Sequence, residues 1–336
     1  MLVNIRSGLK FRIIAGLLVS AVLSIGFLSS TTFAQTGESA ANTLKVSPIR
    51  TDITVKPGDS TVVKITVTNL TANEVHVSAI ENDFVQGDET GTPSIILDAN
   101  EYAPTHSLKR FMSPVESLKI PAKEAKTIGV TITVPKDAQA GGYFGALRFA
   151  PTDPDGGGQV NLSASVASLI LLTVPGPVTE QLTLTDFALQ QGNKAGADFR
   201  TPNDLKVAFR FENKGNIQLG PFGRISVRQG DKVIYEYDFN DKNPRDVILP
   251  DGARKWEVPL KNIGTFGRYT VNATFTYGSK NQSVDVERSF WVIPTAYIVA
   301  AIVAVIVLIG LIVGGIFFFR GRRQRAMRRR GGHRRR

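Results

Sequence analysis

An all-β chain, two tandem sandwich domains followed by a single C-terminal transmembrane helix, is predicted by three features of this 336-residue sequence. Apolar and polar residues alternate over much of residues 44–293, no long amphipathic helical pattern interrupts them, and residues 296–319 form a run without a charge. Period two in β-branched and aromatic residues marks half-buried strands. Many short strands without helices between them favour antiparallel sandwiches, because parallel sheets need crossover connections.

Residues 1–34 carry Arg6, Lys10 and Arg12, no acidic residue, then the apolar run from Ile13 to Leu28 and the exit Thr32-Phe33-Ala34. A charged start, an apolar centre and a small-residue exit are the order of an export signal, so cleavage is expected after Ala34. An uncleaved anchor is the alternative and leaves the following domains on the same side.

In the exported part Val63, Ile65 and Val67 alternate with Lys64, Thr66 and Thr68. Ile128, Val130, Ile132 and Val134 repeat the pattern, as do Leu205, Val207, Phe209 and Phe211, and Tyr269, Val271, Ala273, Phe275 and Tyr277. Lys56-Pro57-Gly58-Asp59 and Pro250-Asp251-Gly252 read as turns between such strands. One unit occurs twice. A strand ends at Asn69 or Asn213, and a later strand is entered through Ala140-Gly141-Gly142-Tyr143 or Gly264-Thr265-Phe266-Gly267-Arg268-Tyr269. Glycine permits the tight entry. The tyrosine ring packs inward with its hydroxyl in reach of backbone, a corner found in immunoglobulin-like sandwiches. Leu169 to Val174 is the last strand-like run of the first unit, and Pro175-Gly176-Pro177 stiffens the chain after it. Two immunoglobulin-like β-sandwich domains are therefore expected at 44–178 and 179–293.

The uncharged run, 24 residues from Ala296 to Phe319, exceeds the ~20 that cross a bilayer as a helix. Ten arginines follow it, from Arg320 to Arg336, and arginine beside a span marks the cytoplasmic side. Trp291 and Tyr297 fall at the outer edge, where an aromatic ring can lodge its polar atom among headgroups. The expected topology is single-pass at the cell membrane, with the N-terminal domains extracellular and residues 320–336 a basic cytoplasmic tail. That tail is expected to touch anionic lipid and act as a stop-transfer signal. A Leu-Pro-x-Thr-Gly sorting signal would precede the run in a wall-attached protein, but the chain reads Val292-Ile293-Pro294-Thr295-Ala296.

The formal charge of +11 belongs to the two ends. Between them lie 27 basic and 29 acidic residues, a net charge near −2 that lacks the basic footprint of a nucleic-acid-binding domain. No cysteine is present. That excludes thiol catalysis, cysteine-bearing zinc sites and disulfides, which domains of this size do not need.

Val46-Ser47-Pro48, Lys56-Pro57-Gly58, Val67-Thr68-Asn69 and the stretch Pro135-Lys136-Asp137-Ala138-Gln139-Ala140-Gly141-Gly142-Tyr143 resemble the N-terminal domain of WxL-interacting proteins. The order of parts over Leu44 to Pro294 and beyond is similar as well. The resemblance implies a bacterial surface protein whose first domain binds peptidoglycan and whose second binds a host or partner protein. It carries over no individual binding residue.

Catalytic chemistry finds little support. His76 lies in an alternating strand, His106 in a loop beside Ser107, and His333 in the tail, so no triad is indicated. Glu81/Asp83 and Asp88/Glu89 read as solvated turn residues. Asp153-Pro154-Asp155-Gly156 is a fragment of a calcium loop without the further oxygen ligands such a loop needs. No catalytic residue, metal or cofactor is assigned.

The first domain carries a longer insertion than the second, in Asp83 to Ser113. It contains Asp88, Glu89, Tyr102, His106, Lys109 and Arg110, a ring and mixed charges near glycine turns that suit sugar or peptide contacts. The competing reading is a hairpin covering a sheet edge, with Ser94 to Leu97 as its strand. A non-catalytic binding or adhesion protein is therefore expected, holding peptidoglycan or another surface protein near the membrane. The alternatives are a wall-modifying hydrolase and a membrane receptor or assembly subunit.

Overall fold

The computed structural model of the chain describes residues 43–152 and 165–331. Ala34 and the export signal, residues 153–156 and His333 lie outside the described residues. Eighteen strands and one long helix make up most of the remainder. This is the mostly-β chain with a C-terminal apolar helix that the alternation and the uncharged run predict.

The strands before Pro175 form two facing sheets. β1 (Leu44–Ser47), β3 (Ser60–Asn69) and β7 (Ala125–Thr133) are antiparallel in the order β1-β3-β7. Opposite them lie β2 (Arg50–Thr54), β9 (Val166–Val174), β8 (Gly141–Thr152), β4 (Val75–Gln86) and β5 (Pro93–Ile95) in that order, with β6 (Leu118–Ile120) also on β4. β2 runs parallel to β9, and the other pairs are antiparallel. The alternating residues meet between the sheets. Val63, Ile65 and Val67 pack with Val130, Ile132, Leu147, Phe149, Ile170 and Leu172.

After Pro177 the arrangement recurs. One sheet is β11 (Lys194–Ala195), β10 (Leu182–Gln191), β13 (Leu205–Asn213) and β16 (Ala253–Pro259). The other is β12 (Asp198–Phe199), β18 (Gln282–Val292), β17 (Gly267–Tyr277), β14 (Phe222–Gln229) and β15 (Lys232–Phe239). Its core is richer in rings: Phe209 and Phe275 lie 4.7 Å apart, with Phe211, Phe239 and Trp256 around them. Among the described strands, none before Pro175 pairs with one after it.

The repeated unit has a repeated geometry. Asn69 and Asn213 are both fully buried at the ends of β3 and β13. Asn69 Nδ2 donates to the carbonyls of Asn73 and Ile120 at 2.7 and 3.0 Å while its Oδ1 accepts from the Thr71 N–H. Asn213 Nδ2 donates to Ile217 and Ile248 at 2.8 and 2.9 Å, and its Oδ1 accepts from the Gly215 N–H. Each side chain thus closes the turn after its strand and staples it to a second segment. The tyrosine corners match as well. Tyr143 Oη donates to the Gln139 carbonyl and Tyr269 Oη to that of Phe266. Gly141 and Gly267 enter these strands at φ of 152° and 139°, values a side chain disfavours.

A third apolar cluster joins strands before Pro175 to the segment before β16. Phe84, Phe144, Ala146 and Leu171, on the outer face of the six-stranded sheet, pack against Leu249 and Val247. Finally, α1 (Thr295–Gly331) follows β18 after two residues. Its segment Thr295–Arg320 is long and apolar enough to cross a membrane, and none of the other described residues buries it. The backbone stays helical into the arginine-rich tail, to Gly331.

Candidate functional site

The segment 83–113 divides into two places. Its first part is the β4–β5 hairpin, the edge-covering strand pair anticipated as the competing reading, with Phe84, Val85 and Gln86 opposite Ile95, Ser94 and Pro93. In the connecting turn Asp88 Oδ1 accepts from the Thr90 hydroxyl and N–H and from the Thr92 N–H. The Thr90 hydroxyl, aided by those backbone donors, holds the Asp88 carboxyl below its ordinary range. This tip reaches the second half of the molecule. The Glu89 carbonyl accepts from the Lys255 N–H on β16 at 2.7 Å, and the Glu89 carboxylate pairs with Arg210 on β13 at 2.8 Å. Asp88 and Glu89 are therefore joined to the contact between the halves, away from the other candidate side chains.

The second part, from Ile96 to Ser113, folds back along β4. Glu81 and Asp83 are not solvated turn residues. They lie in β4, and Asp83 is fully buried, its two oxygens accepting from the N–H groups of Lys109 and Ala103 at 2.9 Å each. Glu81 accepts from the Val115 N–H at 2.7 Å. Two acids that a sequence reading assigns to solvent instead hold the loop by its backbone, because loop N–H groups with no ladder partner need an acceptor.

The loop brings Tyr102, Lys109 and Arg110 together. Lys109 Nζ and the Arg110 guanidinium each lie 4.6 Å from the centre of the exposed Tyr102 ring, within the range of a cation–π attraction. Lys109 also donates to the carbonyls of Ala99 and Glu101. His106 points elsewhere. Its Nδ1 is 2.6 Å from the Gly142 carbonyl and its ring edges onto Tyr143 and tilts against Phe144, so it belongs to the packing on β8.

Two further features lay beyond sequence reasoning, since each joins residues from distant strands. The first is a cavity of about 130 Å3 between the halves, walled by Phe84, Leu169, Leu171, Val247 and Leu249 and edged by Arg50, Arg254 and Asp246. Arg50 is gripped by both oxygens of Asp52 at 2.6 and 2.7 Å and donates to the Arg245 carbonyl across the halves at 2.8 Å. Arg254 reaches Asp246 at 3.3 Å and lies over Trp256, with its Nε buried and without a partner. Burial pulls its guanidinium below the ordinary arginine range, and Asp246 opposes that shift. The second is a groove of about 320 Å3 between the free edges of β15 and β16, lined among others by Tyr237, Asp238, Asp241, Trp256 and Glu257. Neither place contains a histidine. Among the described residues no three histidine or carboxylate groups are placed to hold a metal ion. Charged rims on apolar walls can bind; nothing in either space is set up as an activated nucleophile.

No protein-family model matches the chain, and no curated protein does. Solved structures similar to it include the class 5 fimbriae chaperone CfaA, at 12% identity and a TM-score of 0.37 over 74% of this chain and 98% of that one. The chaperone YadV aligns at 12% identity and 0.34, over 74% of this chain and all of its own. A Salmonella enterica SafA pilin–SafB chaperone complex aligns at 11% identity and 0.31, over 74% and 95%. These likenesses concern the β-sandwich fold.

Proposed function

We propose that the chain is a membrane-anchored cell-envelope binding protein, non-catalytic, that holds a wall polymer or another surface protein close to the membrane. The observation that carries this reading is α1. An apolar helix of 26 residues that none of the other described residues buries requires a nonpolar surround, and a bilayer supplies one. The arginines after it then favour a cytoplasmic tail, with both halves of the sandwich region outside. The export signal with its cut after Ala34, the tail's contact with anionic lipid and the likeness to WxL-interacting proteins belong to the same proposal. So does the division into domains at 44–178 and 179–293, supported by the separate cores and sheets on either side of Pro175-Gly176-Pro177. Within the binding reading, Tyr102 and Arg110 are the exposed members of the cluster that they form with Lys109.

A second reading, a receptor or assembly subunit, draws on β15. Among the described strands this edge strand pairs only with β14, and it exposes Val233 and Tyr237, so a partner's strand could extend its sheet. One experiment separates the readings. Cells expressing the full chain are fractionated and their membranes extracted with alkali; the purified chain is then incubated with peptidoglycan and with envelope proteins. Retention in the extracted membrane, co-sedimentation with peptidoglycan and unchanged wall turbidity are expected. Release by alkali defeats the anchor, and falling turbidity restores the hydrolase.

A further inference from the structure

We infer that the loop between β16 and β17, with Phe266 exposed at its end, sits in the lipid headgroup layer and docks the second half onto the bilayer that α1 crosses. This rests on the membrane reading above and adds a lipid-contacting surface to it.

The tether leaves little freedom. Only Ile293 and Pro294 separate β18 from α1, a reach of at most ~7 Å when extended. Ile293 still donates its N–H to the Phe199 carbonyl at 2.8 Å, and the Tyr297 N–H bonds the Pro294 carbonyl at 3.0 Å, so the junction is ordered on both sides. The end of the sandwich that holds this junction therefore lies against the membrane surface.

That end is built for such a surface. Phe266 is 50% exposed although it is a large apolar side chain, and its ring lies 5.0 Å from that of Tyr297 in the first turn of α1. Trp291, the next-to-last residue of β18, is 42% exposed. Tyrosine and tryptophan favour the headgroup level, where an apolar ring and a polar atom both find partners. Pairing places neighbouring loops at the same end. Asp198 and Phe199 pair with Trp291 and Val292, Leu260 donates to the Leu205 carbonyl, and Gln229 and Lys232 close the β14–β15 turn beside the start of β17. These segments carry Lys194, Arg200, Arg228, Lys232, Lys261 and Arg268 against the carboxylates Asp198, Asp204 and Asp231. Among the described residues none of the six cations is in an ion pair. Unpaired cations around an exposed aromatic ring fit anionic headgroups.

The chain lacks cysteine, so single cysteines can be labelled cleanly. The full chain is reconstituted in phosphatidylcholine vesicles with and without phosphatidylglycerol, carrying a nitroxide at Thr265→Cys, which retains Phe266. Leu97→Cys and Leu308→Cys give the water and hydrocarbon references. In the anionic vesicles the label at 265 is expected at headgroup depth. Each of Lys261→Gln and Arg268→Gln should lower the docked-to-undocked ratio on the order of fivefold. A label at 265 as exposed to water as that at 97, with 308 in hydrocarbon, overturns the docking and spares the membrane reading. A label at 308 in water overturns both. Headgroup depth at 265 that ignores both the lipid charge and the glutamine variants overturns the anionic contact, leaving the aromatic one.

Discussion

Asn69 and Asn213 do the same work in sequences that otherwise differ. Each is fully buried, donates from its amide to at least two carbonyls and accepts one backbone N–H at its oxygen, and so needs a residue that both donates and accepts. Asn213→Ala removes the side-chain partner of the Ile217 carbonyl and of the Gly215 N–H, while the Ile248 carbonyl keeps the Leu219 N–H. Because a buried group left unpaired costs ~1–3 kcal/mol, a loss of about 2–4 kcal/mol is expected, read by urea unfolding of the detergent-solubilised chain. Wild-type stability in that variant would show the staple to be dispensable. Charge at the surface behaves differently. Glu212 pairs with Arg210 at 2.5 Å and Lys214 at 2.9 Å, and those partners, Arg210 first, hold its carboxyl below the usual range. A depressed folded value means the contribution is present above the ordinary glutamate range and lost as pH falls through the folded value. Melting temperatures from pH 7 to pH 3 should therefore fall less steeply in Glu212→Gln than in the parent chain, by a small margin because the pair is exposed.

At the level of elements, the segment after β4 shows how far local pattern carries. Length and composition singled out 83–113, and its hairpin was readable because Gly87 and Gly91 bracket a turn between strand-forming residues. The fate of its acids was not readable. Asp83 stands in a strand whose neighbours on either side are buried too, and only the returning loop explains why a carboxylate lies there. Asp83→Ala should free two loop N–H groups and open residues 96–113 to limited proteolysis before the sheets unfold. Equal protection in parent and variant would contradict that role. The proposed binding surface has its own test. Alanine at Tyr102 and Arg110 together should weaken wall or partner binding in a chain that still melts cooperatively, whereas His106, packed on β8, is left in place. Unchanged binding would exclude these side chains. Substitution of Glu89, by contrast, is expected to loosen the contact between the halves, at roughly 0.2–1 kcal/mol for its exposed pair with Arg210.

For the whole molecule the decisive feature is the cluster of Phe84, Phe144, Leu171 and Leu249. Pro175-Gly176-Pro177 punctuates the chain where two cores separate, yet apolar residues on the outer face of the six-stranded sheet meet the segment before β16. A fragment of residues 44–178 should unfold cooperatively, since its own core is intact. It should also melt below the same half in the full chain and self-associate, because the cluster is then exposed. Phe144→Ser in the fragment should restore solubility. A fragment that is only aggregated, even with that change, would refute the division at 178.

The sequence by itself determined the alternating strands, the repeated strand ends and glycine–tyrosine entries and the apolar helix, because each is written in neighbouring residues as a period of two, a short motif or a run of fixed length. Only the tertiary structure decided which faces of the sheets meet, that Asp83 is interior, that Glu89 clasps the second half and that Phe266 lies against Tyr297. Those relations join residues far apart in the chain. Alternation says that a face is buried, and folding alone says against what.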